Sequence, residues 1–141
     1  MAKLQKVPAL KRLVLANTGL TDESLAKLLK LPALERLVLD GNAIRGAGLT
    51  SLKEQPELTE VSLGCPTLGD LFAKNLSELK QVKRLSLAGS GLTDVGIKHL
   101  SVLTSLESLD LRGTKATNAG VDELKKTLPK CEIIQGEAAV K

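Results

Sequence analysis

A period of 24 residues runs through this chain without a gap. Leu10, Leu34, Leu58, Val82 and Leu106 each open the same frame, apolar-x-x-apolar-x-apolar. It is filled in turn by Leu10-Leu13-Leu15, Leu34-Leu37-Leu39, Leu58-Val61-Leu63, Val82-Leu85-Leu87 and Leu106-Leu109-Leu111. Three positions on stands Thr18, Asn42, Pro66, Ser90 or Thr114, and two further on Leu20, Ile44, Leu68, Leu92 or Ala116. Alternation over the frame is the mark of a strand with one buried side. A unit this short cannot bury its leucines alone. Stacked copies can, so a fixed period means a solenoid built coil on coil.

The second half of each unit changes period. Leu25, Leu28 and Leu31 are three apart, as are Ile97, Leu100 and Leu103, and Ala73, Leu76 and Leu79. Repeat two keeps Leu49 and Leu52 but has Gln55 third. That spacing predicts a short helix with one apolar side. Thr21-Asp22, Thr93-Asp94 and Thr117-Asn118 precede these segments, as capping residues do. Gly48, Gly96 and Gly120 share one register at the helix start, where a missing Cβ allows close approach to the next coil.

The frame resembles that of leucine-rich repeat proteins, L-x-x-L-x-L-x-x-N-x-L. In particular it is similar to the 24-residue bacterial repeats of planctomycete type, and more distantly to F-box and ribonuclease-inhibitor-like repeats. Residues 88–131 carry the likeness best, through Gly91-Leu92-Thr93-Asp94, Thr117-Asn118-Ala119-Gly120-Val121 and the closing Leu128-Pro129-Lys130-Cys131; in all it covers residues 2–134. The resemblance implies an α/β fold: a right-handed solenoid with parallel strands on the concave face and short helices on the convex face. For activity it implies a binding scaffold for a protein partner. The expected organisation is a single solenoid over 1–135, made of a partial first repeat, five full repeats of 24 or 25 residues and a terminal half-strand, with a loose tail over 136–141. Lys3 to Ala9 aligns with Lys27 to Ala33, so the chain opens inside a repeat and its first coil is expected to be uncapped.

Composition narrows the function. Of 141 residues 30 are leucine and one, Phe72, is aromatic. Nucleic-acid recognition by stacking has no platform here. The net charge of +4 is spread over interspersed acids and bases, the pattern of a solvated surface. No apolar run approaches a membrane span. No secretory signal is present at the start, and a cytoplasmic setting is the default expectation. Phosphate-binding glycine motifs and the nucleophile elbow are missing, Ser90 being a repeat position, and His99 stands alone on the outer helix side. No catalytic residue, metal ligand or cofactor is expected.

Residues between the core leucines of each strand point outward and form rows. The third position gives Arg12, Arg36, Glu60, Arg84 and Ser108; the fifth Val14, Val38, Ser62, Ser86 and Asp110; the seventh Ala16, Asp40, Gly64, Ala88 and Arg112. The candidate partner-binding set is Arg12, Val14, Arg36, Val38, Asp40, Glu60, Ser62, Arg84, Ser86, Asp110 and Arg112. The arginines either recognise an acidic partner through their bidentate forks or pair with Glu35, Glu60 and Glu107 across strands. Two other functions stay open: self-assembly through uncapped ends, and a targeting role within a larger multidomain protein.

Repeat three departs from the frame. Phe72 is expected to fill space beside Ala73, and Pro66 removes one backbone donor. Cys65 and Cys131 fall three strand steps apart, roughly 14 Å, too far for a disulfide. Cys131 replaces a core leucine and is expected to be buried; Cys65 is expected at the rim of the concave face, open to solvent. Asn75-Leu76-Ser77 matches the glycosylation triplet by spacing alone.

Overall fold

The computed structural model describes residues 9–27 and 31–136. Lys3 to Pro8, Leu28, the tail beyond Gly136 and the side chain of Phe72, with the expectations attached to them, lie outside what is described. Among the described residues six three-residue strands form one parallel sheet in chain order: β1 Arg12–Val14, β2 Arg36–Val38, β3 Glu60–Ser62, β4 Arg84–Ser86, β5 Ser108–Asp110 and β6 Glu132–Ile134. Each strand pairs with the next in the 24-residue register, Leu13 against Leu37, Leu37 against Val61, and so on to Leu109 against Ile133. The open sheet with helical segments behind it is the predicted α/β solenoid.

The leucine columns form the core. Leu34, Leu37, Leu39, Leu58, Leu63, Leu85 and Leu87 are at most 2% exposed, as are the helix-side Leu25, Leu49, Leu76 and Leu100. In the first described coil Leu10, Leu13 and Leu15 are only half-buried, because no coil among the described residues lies beyond them. Ile133 in the last strand is likewise half-buried.

The helical segments differ from one another. α1 (Asp22–Lys27), α2 (Asp94–Ile97) and α3 (Asn118–Thr127) are α-helical, whereas Ala47–Glu54 and Asp70–Glu78 are 3-10 helices and Lys98–Val102 continues α2 as one. The apolar spacing gives part of the reason, since α1 is α-helical although Leu25, Leu28 and Leu31 are also three apart. Leu49 and Leu52, or Ala73, Leu76 and Leu79, repeat every three residues, the pitch of a 3-10 helix. Val121, Leu124 and Leu128 are three and then four apart and suit an α-helix. Gln55, at an apolar column position, is 2% exposed, and its Oε1 accepts the Leu31 N–H at 3.1 Å.

Two expectations about thiols are corrected. Cys65 is fully buried, not exposed at the rim. Cys131 is half-buried, because no further coil covers the last strand among the described residues. His99, expected on the outer face, is half-buried as well.

Candidate functional site on the strand face

Beneath the strand face, the backbone turn that follows each strand is held from one coil to the next. Asn42 is 3% exposed. Its Oδ1 accepts the N–H groups of Thr18 and Leu20, both at 3.0 Å, and its Nδ2 donates to the carbonyls of Leu15 (2.8 Å) and Leu39 (2.9 Å). One side chain thus satisfies four backbone groups in two coils.

In coil three Pro66 occupies the asparagine register, and Cys65 takes over the task. The backbone just after the strand is left-handed at Asn17 (φ 55), Gly41 (φ 73), Gly89 (φ 79) and Gly113 (φ 74), but not at Cys65. Proline disfavours compact conformations in the residue before it. The thiol turns inward, donates to the Leu39 carbonyl at 3.1 Å and receives the N–H groups of Asn42 and Ile44. Burial pushes the thiol pKa up, against the pull of those two N–H groups. These are three of the four contacts of Asn42, displaced by one coil; the fourth, to the Leu63 carbonyl, is made by the Cys65 N–H at 2.7 Å.

Pro66 also explains the next coil. It has no N–H, and the Leu68 N–H is already given to the Cys65 carbonyl at 2.9 Å. Nothing remains to donate to an asparagine at position 90. Ser90 stands there, 2% exposed, and its hydroxyl has no partner among the described residues. Ser90→Ala removes that unsatisfied hydroxyl and is expected to leave stability unchanged or raise it by up to about 1 kcal/mol in urea unfolding. A loss above that size would mean the hydroxyl is engaged.

At the helix starts, Thr21, Thr93 and Thr117 act as the expected caps, accepting from Ser24, Val95 and Gly120. The aspartates at the helix starts, Asp22, Asp70 and Asp94, reach across to the following coil. Asp22 accepts the N–H groups of Arg45 (2.9 Å), Gly46 (3.1 Å) and Gly48 (2.9 Å). Asp70 accepts the Thr93 N–H at 3.0 Å and its hydroxyl; Asp94 takes the Thr117 N–H at 2.7 Å and hydroxyl at 2.5 Å. These bonds from Thr117 hold the Asp94 carboxyl below its ordinary pKa. Gly48, Gly96 and Gly120 lie where an added Cβ would strike the aspartate of the preceding coil, not the next one.

On that scaffold the predicted rows assemble. The strand register aligns Arg12, Arg36, Glu60, Arg84 and Ser108 in one row and Val14, Val38, Ser62, Ser86 and Asp110 in the next. Between β2 and β6 they border a shallow trough of about 240 Å³ with Ser62 and Ser86 in its middle. Arg36 Nε meets Glu60 Oε2 at 3.0 Å. Asp40 Oδ1 accepts the Ser62 hydroxyl and the Gly64 N–H, each at 2.7 Å. Arg112 grips Asp110 with Nε at 3.0 Å and Nη2 at 2.8 Å. Lys11 and Glu35 pair at 3.8 Å along the rim. Among the described residues Arg12 and Arg84 make no ion pair. Val14 is 62% exposed. The face therefore mixes the two alternatives for its arginines: Arg36 is spent on an acid of the next strand, and Arg84 is not.

Partial burial pushes the Asp110 pKa up, but the hydrogen bonds and charge of Arg112 outweigh it and the carboxyl titrates below its ordinary value. A depressed folded pKa stabilises above the ordinary value and loses that contribution as pH falls through the folded one. Below about pH 4 the thermal midpoint should fall with acid. Asp110→Asn should flatten that slope; an unchanged slope would assign it to other carboxylates, Asp94 among them.

No family model and no curated protein sequence matches the chain. Solved structures do. A leucine-rich repeat protein of Leptospira interrogans is 29% identical, covers 77% of this chain and 27% of its own, and superposes with a TM-score of 0.62. Internalin C2 of Listeria monocytogenes is 22% identical over 92% of this chain and 63% of its own, TM-score 0.54. The Chaetomium Mex67:Mtr2 structure matches at 19% identity over 99% of this chain and 88% of that one, TM-score 0.53. The chain thus spans about a quarter of the Leptospira protein and under two thirds of internalin C2. At their identities the last two speak for the fold alone.

Proposed function

We propose that this leucine-rich repeat protein is a non-catalytic scaffold that holds a protein partner against its concave strand face. The observation that carries the reading is the trough itself. Five in-register strands, β2 to β6, line it with the small residues Ser62 and Ser86 along the floor, arginines on one side and Val38 and Ile134 at its ends. A partner side chain can approach the sheet closely there, and Arg is one of the few residue types that concentrates binding energy at protein interfaces. The test is site-specific crosslinking. A photoreactive residue at Ser62 should crosslink the partner, while the same residue at Val95, 67% exposed on the helical side, should not. The reverse pattern would move the interface to the convex face.

End-to-end association is a second reading, supported by the half-buried Leu10, Leu13 and Leu15 at one end of the stack and Ile133 at the other. Light scattering at rising concentration decides it: a constant monomer mass rules it out.

A further inference from the structure

We propose that the segment bound on the strand face is acidic and extended like polyproline II, with one carboxylate between Arg84 and the Ser86 hydroxyl and an apolar side chain three residues away on either side. This rests on the concave-face reading above and gives it a partner chemistry.

The first argument is the account of charge. Arg36 is committed to Glu60, Asp110 to Arg112, and Asp40 to the Ser62 hydroxyl and the Gly64 N–H. What is left uncommitted in the middle of the face is a set of donors. Among the described residues the Arg84 guanidinium has no ion pair, and the hydroxyls of Ser86 and Ser108 have no hydrogen-bond partner. Ser86 follows Arg84 by two on the same side of β4, and Ser108 stands beside Arg84 on β5. A guanidinium flanked by hydroxyl donors is complementary to a carboxylate.

The second argument is spacing. Val38, Ser86 and Ile134 lie in one row on β2, β4 and β6, two strand steps apart each time. Two steps are about 9.6 Å. Three residues of polyproline II advance about 9.3 Å and return to the same side of the chain. A segment crossing the strands in that form places residues i, i+3 and i+6 over Val38, Ser86 and Ile134. A β-strand would turn residue i+3 away from the sheet. An α-helix, about 10–12 Å across, would ride on the Arg36 and Arg84 side chains and miss the floor.

The probe is the blocked peptide Leu-Pro-Pro-Glu-Pro-Pro-Leu, titrated into isotope-labelled protein. Saturable amide shifts centred on Ser62, Ser86 and Asp110 are expected, weakening with added salt. Glutamine in place of the glutamate should weaken binding about tenfold or more. Arg84→Glu should abolish binding of the glutamate peptide and admit its lysine counterpart. Arg84→Gln, which keeps size without charge, should bind glutamate and glutamine peptides alike. Equal binding of both peptides to the unaltered protein, shifts on the helical side, or indifference to Arg84→Glu would overturn the proposal. If the peptides fail while crosslinks from Ser62 still reach the partner, the acidic segment falls and the concave face stands. If those crosslinks fail too, both fall.

Discussion

Asn42→Leu is expected to lower stability by about 3–5 kcal/mol in urea unfolding followed by circular dichroism, the chain having neither Trp nor Tyr to report by fluorescence. Leucine keeps asparagine's branching with bulkier methyl groups, so some overpacking adds to a loss that is chiefly one of hydrogen bonding. It comes mainly from the N–H groups of Thr18 and Leu20, which lose their acceptor together; the carbonyls of Leu15 and Leu39 lose one donor each but keep the Thr18 hydroxyl and the Cys65 thiol. Each buried orphan costs about 1–3 kcal/mol, less where water reaches it, as at the more exposed Thr18. The damage should be local before it is global. Coils one and two would separate first, and hydrogen exchange at Thr18 and Leu20 should accelerate while the amides of coils four and five keep their protection. Asn42→Cys is the control. A thiol already performs this work at Cys65, so cysteine at 42 should recover part of the loss. A cost below 1 kcal/mol for Asn42→Leu would show that the turns hold without the asparagine.

The strand frame was legible because burial repeats its demand every 24 residues and the alternation leaves one solution for which side is in. The rows on the strand face follow from the same alternation. Which arginine is paired does not, since Arg36 and Arg84 both neighbour Glu60 in the register and only Arg36 closes on it. Cys65 was misplaced for a definite reason. Its register position in other coils is a left-handed turn largely open to solvent. Pro66, one residue on, changes the backbone and sends the thiol inward. The role of the aspartates was hidden because a Thr-Asp pair before a helix reads as a local cap. The trace was present diagonally: Asp22 with Gly48, Asp70 with Gly96, Asp94 with Gly120, each 26 residues apart, and where the aspartate is missing, at Gly46, the partner position holds Phe72. Carboxylate and glycine come and go together because one fills the space the other leaves.

That pairing makes the second large effect a matter of which atom is struck. At Gly48 an added Cβ would lie 2.5 Å from the Asp22 carbonyl oxygen and 3.1 Å from its carbonyl carbon and Cα. These are backbone atoms and cannot rotate aside, so Gly48→Ala must push coils one and two apart. A loss of about 2–3 kcal/mol is expected, net of alanine's better helix propensity. Asp22→Ala should not relieve it, because the obstructing carbonyl remains. At Gly120 the nearest obstructing atoms are the Asp94 carboxyl oxygen and carbon, which can swing away at the cost of the carboxylate's bonds to Thr117; only the Asp94 Cβ, at 2.9 Å, stays. Gly120→Ala should therefore cost much less in an Asp94→Ala background than alone, the mark of two residues competing for one space. The two double-mutant cycles, read by urea unfolding, should differ in size: for Gly48 with Asp22 the coupling is limited to the carboxylate's own bonds, such as that to the Gly48 N–H, whereas for Gly120 with Asp94 most of the alanine penalty is relieved. Equal behaviour in both would mean that the coils respond to any bulk at these positions, whichever atom lies opposite.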